Sequence, residues 1–214
     1  GNLKFKSSRN RSPTKLTKGE KEEIRDLRLE LRLLADVGLL GQPNAGKSSL
    51  VASVSGANPK IADYEFTTLS PHLGVVDFSS NKSFVIADIP GLISGASDGI
   101  GLGIQFLKHL SRTRVILQMV DISEKDKIQV VKEVETLVQE VNKFDTGLLR
   151  GVRWLVFNKI DLINERKLQT LKKELASIFK GETKLFFISA KRRISTKELM
   201  LEIGYYLESY NAEE

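Results

Sequence analysis

The chain has 214 residues, of which 41% are hydrophobic and 28% are charged, and its formal net charge is +6. This composition is typical of a folded globular protein, and the length favours one domain with at most a short appendage. The absence of cysteine excludes a disulfide scaffold, a thiol nucleophile and a cysteine-based metal site, and two histidines are too few for a multi-histidine site. No apolar run approaches the ~20 residues of a membrane span and no signal peptide precedes the body, so we expect a cytoplasmic protein without a membrane partner.

The positive charge is concentrated at the N-terminus. Residues 1–34 carry ten basic and five acidic side chains, whereas residues 35–214 carry 23 and 22 and are nearly neutral. A basic segment of this kind is either a solvated tail or an arm that lies near a polyanion such as RNA, and the charge alone leaves both open. The nearly neutral body gives no reason to expect DNA as a partner.

The first predicted element lies inside this basic segment. Residues 1–23 lack apolar periodicity and are expected to form a loop, but leucines at every second position from Leu27 to Leu33 predict a half-buried strand over residues 24–34. Little of the chain precedes that strand, so its partner sheet is not expected here. We interpret residues 1–34 as the remnant of a preceding domain, a loop plus one strand, and residues 35–214 as the main domain.

Apolar strand candidates and amphipathic helices alternate from Ala35 onward. The strand candidates are residues 35–41, 72–78, 83–88, 114–120, 152–158 and 184–189. Helices are expected over residues 47–54, 123–144, 164–180 and 195–210. Continuous apolar strands that alternate with helices are typical of a parallel sheet covered on both faces. The prediction is an α/β fold with a mostly parallel six-stranded sheet and helices on both faces.

A glycine-rich turn after the first strand carries the most specific motif. Residues 41–48 read GQPNAGKS and match G-x-x-x-x-G-K-[ST] between a predicted strand and a predicted helix. In that context backbone N–H groups surround a phosphate, the lysine reaches the β- and γ-phosphates, and the serine hydroxyl binds Mg²⁺. The motif places the main domain among the P-loop NTPases. The predicted phosphate-binding residues are Gly41, Gln42, Pro43, Asn44, Ala45, Gly46, Lys47, Ser48 and Ser49.

A second motif, Asp88-Ile89-Pro90-Gly91, ends the strand over residues 83–88. An acid at the carboxyl end of a parallel strand beside a phosphate loop fits an aspartate that holds Mg²⁺ through water. Gly91 then offers a backbone N–H to the γ-phosphate, so Gly91 and Lys47 are candidate catalytic residues. An ordinary strand-end turn is the alternative interpretation of Asp88.

A third motif, Asn158-Lys159-Ile160-Asp161, follows the fifth strand candidate. The Asp161 carboxylate can accept two hydrogen bonds from the ring N–H and exocyclic amine of guanine. Adenine lacks that donor pair, so Asp161 is expected to select GTP over ATP. Ser189-Ala190-Lys191 closes the sixth strand, where the Ala190 N–H can face the guanine oxygen. The predicted guanine-binding residues are Asn158, Lys159, Asp161, Ser189, Ala190 and Lys191.

Two segments between these motifs are expected to respond to the nucleotide. Residues 61–71 are polar and aromatic, and a threonine hydroxyl there can meet Mg²⁺ and the γ-phosphate when the loop orders, although simple packing explains Tyr64 and Phe66 equally well. Residues 92–103 are rich in glycine and lie where a second switch belongs. The predicted switch residues are Phe66, Thr67, Thr68, Leu69, Ser70, Asp88, Ile89, Pro90 and Gly91.

The ordered set of motifs resembles the translation-factor-like P-loop GTPases, and in finer detail the Obg family. Residues 1–13 resemble the end of that family's glycine-rich N-terminal domain. The segments that resemble its GTPase domain are residues 27–50, 59–76, 87–103 and 105–114. The resemblance implies that Thr68 is the switch threonine that contacts Mg²⁺ and acts in catalysis, that GTP and GDP are the ligands, and that the large ribosomal subunit or its rRNA is a partner. The departures from the family pattern are Gln42, Ser49, Ser94 and Ser111.

Leu92 occupies the position where many GTPases have a glutamine that orients the attacking water. A leucine side chain has no donor or acceptor, so catalysis must depend on Mg²⁺, Lys47, backbone N–H groups and a group supplied elsewhere. GTPases with a hydrophobic residue here resemble a group in which K⁺ assists, held partly by an asparagine of the phosphate loop. Asn44 stands at that place, and its alternative role is to cap the turn.

These observations predict a Mg²⁺-dependent GTPase that slowly hydrolyses GTP and resembles an assembly factor of the large ribosomal subunit. The alternative is a guanine-nucleotide sensor whose nucleotide state sets its affinity for a ribosomal partner, with hydrolysis secondary. In the family, the missing N-terminal domain is expected to supply much of the ribosome contact. Any remaining RNA binding by this chain is therefore expected to come from residues 1–34 and to fall steeply with salt.

Overall fold

A computed structural model describes residues 5–7, 9–12, 14, 35–56, 60–61, 72–88, 113–144, 152–181 and 183–213. The chain divides into two compact units, residues 1–31 and residues 32–214. In the first unit, Ser7 and Asn10 exchange two backbone hydrogen bonds of 3.1 Å that close a short turn. The predicted strand over residues 24–34 lies outside the described residues, and the proposed boundary between residues 34 and 35 stays a prediction.

The second unit contains seven strands and four helices within its described parts. The strands are β1 (Val37–Gly41), β2 (Lys60–Ile61), β3 (His72–Ser79), β4 (Lys82–Asp88), β5 (Val115–Asp121), β6 (Val152–Asn158) and β7 (Leu185–Phe187). The helices are α1 (Lys47–Val54), α2 (Lys127–Phe144), α3 (Glu165–Ile178) and α4 (Thr196–Glu213), with a 3₁₀ turn at Ile160–Leu162. No helix in the described parts is long and apolar enough to cross a bilayer.

The sheet has the strand order β2-β3-β4-β1-β5-β6-β7. The pairs from β4 through β7 are parallel, as expected for the α/β fold. Strand β3 is antiparallel to both β2 and β4, and β2 is a two-residue edge strand that the sequence analysis did not predict. The reason is the connection between β3 and β4, which has only two residues, Ser80 and Asn81. A parallel pair would need a crossover of a dozen or more residues.

Helices cover both faces of the sheet, because alternate residues of each central strand point to opposite sides. On one face, Leu39 and Leu117 pack in a core that includes Leu50 of α1 and Ile203 of α4. On the other face, Leu40 and Ile116 share a core with Leu137 and Val141 of α2. A further core on the strand β5 and β6 side joins α2 to α3 through Val130, Val134, Leu168 and Leu171. This confirms the predicted layers and leaves the carboxyl ends of the parallel strands at one edge.

Candidate functional site

The predicted motifs meet at the carboxyl edge of the parallel strands. Strand β1 pairs with β4 and β5, and β5 pairs with β6, so the last residues of neighbouring strands lie side by side. Gly41 ends β1, Asp88 ends β4, Asp121 ends β5 and Asn158 ends β6. An edge of this kind, at the carboxyl ends of an open α/β sheet, is where such folds bind ligands.

The phosphate loop between β1 and α1 depends on two glycines. A Cβ at Gly41 would lie 2.4 Å from the backbone oxygen of Met119, so only glycine fits beside β5. Gly46 has a φ of 96°, and a Cβ there would lie 2.2 Å from Asn158 Nδ2. The left-handed conformation of Gly46 turns the chain directly into α1. This geometry points the first N–H groups of the helix at whatever occupies the loop.

Lys47 is the first residue of α1, and its ammonium lies over the phosphate loop. The Nζ atom donates hydrogen bonds to the carbonyl oxygens of Gly41 at 2.9 Å and Gln42 at 3.1 Å. Burial lowers the pKa of this ammonium, and the nearby Asp88 carboxylate partly opposes the shift. A cation held in this way by backbone dipoles is already positioned for a phosphate.

Ser48 and Asp88 form the next contact. The Ser48 hydroxyl donates a hydrogen bond to Asp88 Oδ2. Asp88 is only 2% exposed, and its Oδ1 atom accepts no hydrogen bond from the described residues. A buried carboxylate oxygen without a donor is costly unless a cation or a polar ligand satisfies it. Hydroxyl and carboxylate oxygens are the ligands that Mg²⁺ prefers, so this donor set fits the predicted ion.

Asn158 joins the phosphate loop to residues 189–191, which we call the guanine loop. Its Nδ2 atom donates to the carbonyl of Ala45 at 2.8 Å, and its Oδ1 atom accepts from the backbone N–H of Ala190 at 3.0 Å. All three residues are buried, at 2% or less exposure. Both ends of the amide are thus used within the protein. The side chain predicted to read guanine connects two predicted motifs that lie more than a hundred residues apart.

Lys159 has a partner that the sequence analysis missed. Its ammonium donates to Asp121 Oδ2, and Asp121 Oδ1 accepts from the Ser123 N–H at 2.9 Å and the Ser123 hydroxyl at 2.7 Å. Burial raises the pKa of Asp121, but the hydrogen bonds from Lys159 and Ser123 outweigh it, so the pKa lies below its ordinary value. Asp121 ends its strand beside Asn158 in the β5–β6 register, and an acid at the end of β5 was the available signal.

Asp161 lies in the 3₁₀ turn after β6, directly beyond Lys159, whose φ is 68°. The Asp161 carboxylate is partly exposed and accepts no hydrogen bond from the described part of the chain. Ser189 and Ala190 are buried and Lys191 is exposed. The Ala190 N–H, which was expected to face guanine, instead donates a hydrogen bond to Asn158 Oδ1. Asp161 therefore remains available for a ligand, whereas the Ala190 N–H is already paired.

Some of the other predicted site residues are described by the structure, and the rest lie outside its described part. Pro43, Asn44, Ser48 and Ser49 are exposed along the phosphate loop, and Asn44 has a φ of 63°. The predicted switch and catalytic residues outside the described part of the chain are Phe66, Thr67, Thr68, Leu69, Ser70, Ile89, Pro90 and Gly91. Leu92 also lies outside it. Their roles stay predictions.

A family model described as the 50S ribosome-binding GTPase matches residues 36–159, more than half of the chain. The chain belongs to this GTPase family. It is a GTP-binding domain that hydrolyses GTP, and the matched segment contains the phosphate loop, Asp88 and Asn158.

Solved structures of other GTPases share the fold. An Aquifex aeolicus Era variant bound to GDP and AlF₄⁻ is 23% identical, with a TM-score of 0.60 over 80% of this chain and 56% of that one. Era in complex with MgGDPNP and a fragment of 16S ribosomal RNA is 26% identical, with a TM-score of 0.60 over 79% and 55%. Nucleolar GTP-binding protein 1 of Plasmodium falciparum is 23% identical, with a TM-score of 0.56 over 82% and 89%. The chain thus spans about half the length of the two Era chains.

Proposed function

We propose that this GTPase domain is the nucleotide-dependent core of an Obg-type protein that acts on the large ribosomal subunit. The observation that carries the nucleotide part is the Asn158 bridge, since one buried side chain ties Ala45 of the phosphate loop to Ala190 of the guanine loop. A ligand that contacts both loops at once must present phosphates at one end and a base at the other.

Guanine selection is assigned to Asp161. Its carboxylate has no protein donor among the described residues and follows a backbone turn fixed by the left-handed Lys159. Asp121 holds the Lys159 ammonium and so positions that turn from the neighbouring strand. Adenine lacks the ring N–H and exocyclic amine that would donate to this carboxylate, so the arrangement favours GTP over ATP.

Mg²⁺ dependence rests on Ser48 and Asp88, with Thr68 as a third proposed contact. Bound Mg²⁺ would neutralise charge on the β- and γ-phosphates. The buried Asp88 Oδ1 atom supports the proposal, because it lacks a donor among the described residues. Asp88 already accepts a hydrogen bond from the Ser48 hydroxyl, so the two oxygens lie close enough together to face one shared cation.

During hydrolysis, the domain's own residues would bind the phosphates and stabilise the negative charge that develops on them. Lys47 would exchange its hydrogen bonds to the carbonyl oxygens of Gly41 and Gln42 for contacts with the phosphates. The N–H groups of the phosphate loop and the proposed Gly91 N–H would stabilise the oxygens that gain negative charge. Leu92 cannot orient water, so slow intrinsic turnover is expected.

The large-subunit partner is supported by the Obg resemblance and by the matching family model, whose description names binding to the 50S ribosome. The Era neighbour, at 26% identity, binds a fragment of 16S RNA of the small subunit and supports only an RNA-related role. The test is co-sedimentation with purified large ribosomal subunits of this chain beside a full-length form that carries the N-terminal domain, in GDP, in a non-hydrolysable GTP analogue and without nucleotide. Binding of the full-length form that depends on the GTP analogue supports the proposal, and binding that ignores the nucleotide, or no binding of that form, contradicts it.

The second candidate is a nucleotide sensor in which hydrolysis is secondary, and the absence of a water-orienting side chain at Leu92 favours it. A large rise in GTP turnover on adding ribosomal subunits supports the switch enzyme, because the partner then supplies the missing group. Turnover that stays unchanged while binding responds to the nucleotide supports the sensor.

Potassium assistance through Asn44 is the last part of the proposal. Asn44 is exposed in the phosphate loop, and its backbone is left-handed. Replacement of NaCl by KCl at equal ionic strength should then accelerate hydrolysis in the native chain and not in Asn44→Ala. An equal response in both chains would assign Asn44 to the turn alone.

A further inference from the structure

The guanine loop ends on Lys191, and Arg192 and Arg193 follow it, so the chain presents three consecutive cations here. All three side chains are exposed. None of these three side chains forms an ion pair or a hydrogen bond with the described residues. By contrast, Lys82, Lys125, Lys127 and Lys184 of the same domain each pair with a glutamate.

The charge of this segment is unlike that of the surrounding domain. Residues 191–198 carry four basic side chains and one acidic side chain, a net of +3. The rest of residues 35–214 carries 19 basic and 21 acidic side chains, a net of −2. The basic segment is therefore a local feature and not a sample of a generally basic surface.

Hydrogen bonds hold the backbone that carries the three cations. Ser189 and Ile194 exchange two backbone hydrogen bonds of 3.1 Å, and the Ser189 hydroxyl accepts from the Arg192 N–H at 3.0 Å. Arg193 and Ser195 have φ values of 56° and 54°. Left-handed backbone at two non-glycine residues persists only where the surrounding structure imposes it, and such positions cluster at functional sites.

The base of the loop is joined to the nucleotide site. Ala190, the residue before Lys191, donates its N–H to Asn158, which in turn donates to Ala45 of the phosphate loop. The three cations therefore stand at the rim of the guanine site on a loop that buried hydrogen bonds fix.

We propose that residues 191–193 form a docking surface for the phosphate backbone of RNA. Arginine guanidinium groups bind phosphate oxygens in bidentate fashion, and cations without a protein partner lose no ion pair when they do so. Release of counterions from the RNA then drives binding. Arginine is also enriched at protein interfaces, so an acidic protein partner is the alternative that the test has to separate from RNA. The choice of RNA among polyanions rests on the proposed ribosome-directed function.

The test compares two charge-matched double variants in the full chain. Arg192→Gln with Arg193→Asn removes two cations of the loop, and asparagine tolerates the left-handed backbone at position 193. Lys173→Gln with Lys180→Gln removes two exposed cations of α3 and the turn after it, which also lack partners among the described residues. The sequence analysis expected RNA binding only from residues 1–34, and the proposal adds the loop to that segment. Both variants keep residues 1–34, so that segment contributes equally to each.

The measurement is fluorescence anisotropy of a labelled 20-nucleotide RNA of mixed sequence, between 50 and 200 mM KCl, with GDP bound. The loop variant should bind about five- to tenfold more weakly at 50 mM KCl and reduce the slope of log affinity against log salt by about 1.4, the loss of two phosphate contacts. The α3 variant should change both values little. The single variant Arg192→Gln, which leaves the backbone at Arg193 untouched, should show about half the change in slope.

Equal losses in the two double variants would overturn the proposal, because net charge and not the loop would then set the affinity. No RNA binding by the native chain would overturn it too, as would displacement of the RNA by polyglutamate of equal charge at equal concentration, which would indicate an acidic protein partner. Labelled GDP should bind both variants as it binds the native chain, which separates the loop from the nucleotide site. RNA binding through the loop without nucleotide-dependent ribosome binding would refute the proposed function and leave this inference standing.

Discussion

Replacement of Asn158 by alanine should damage both stability and nucleotide binding. The substitution leaves the Ala45 carbonyl and the Ala190 N–H without their partner, and both residues are buried. A buried backbone group that loses its partner costs about 1–3 kcal/mol, so the two together should lower the free energy of unfolding by about 2–6 kcal/mol. That is a large share of the ~5–15 kcal/mol that stabilises an ordinary domain.

The same change should weaken GDP binding, because the phosphate loop and the guanine loop would no longer be held together before the ligand arrives. We expect at least a tenfold loss of affinity, about 1.4 kcal/mol. Urea unfolding without nucleotide measures the stability, and titration with fluorescent GDP measures the affinity.

A matched control is Asn164→Ala. Asn164 caps α3 by accepting a hydrogen bond of 2.8 Å from the Lys167 N–H at an exposed site. Loss of such a cap costs about 1 kcal/mol and should not change GDP affinity. Asn158→Asp is a second probe, since a carboxylate can still accept from Ala190 and cannot donate to Ala45. If Asn158→Ala loses no more stability than Asn164→Ala, or keeps its GDP affinity, the bridge does not have the role argued for it.

Four further outcomes are expected. Asp161→Asn should shift preference from GTP toward xanthosine nucleotides, and the native chain should bind ATP at least about a hundredfold more weakly than GTP, roughly 3 kcal/mol; comparable ATP and GTP affinities in a titration would contradict this. The pKa of Asp121 is lowered in the folded protein, so its ionised form stabilises the fold above the unfolded pKa of about 3.9. In urea unfolding, the native chain should therefore have a higher free energy of unfolding than Asp121→Asn at neutral pH. That difference should shrink as the pH falls below about 4. Thr68→Ala should weaken hydrolysis and leave GDP binding nearly intact, whereas equal losses of GDP and GTP affinity would mean that the threonine supports the fold. Intrinsic turnover should lie well below 1 s⁻¹ in a single-turnover assay and change only a few-fold in Leu92→Ala; a hundredfold loss would show that Leu92 shapes the water site.

The strands and helices were predictable because their apolar patterns are local. The predicted helix over residues 47–54 matches α1, and the predicted strand over residues 152–158 matches β6. The direction of β3 was also predictable, since a two-residue connection to β4 permits only a hairpin. Strand β2 was not, because two residues carry no periodicity and their pairing with Leu73 and His72 is a property of the sheet.

The candidate site was also predictable only where a local motif determines it. The phosphate loop follows from a motif whose spacing is imposed by backbone geometry, and Gly46 illustrates it because no other residue fits against Asn158. The partners of Asn158 and Lys159 did not follow, because they lie 113 and 38 residues away in the chain. Such contacts depend on the order of the strands in the sheet, which no single segment of the sequence determines.

The strand order also explains why the phosphate loop and the predicted guanine loop share one residue. Strand β5 lies between β1 and β6, and its last residue, Asp121, stands beside Asn158. Asp121 fixes the Lys159 side chain on this strand, and Asn158 crosses from β6 to the phosphate loop after β1. A disturbance at the phosphate loop can therefore reach Ala190 and the adjoining residues 191–193 through the Asn158 side chain. If nucleotide state alters RNA affinity, this short path through Asn158 is the physical link to test, and Asn158→Ala should uncouple the two.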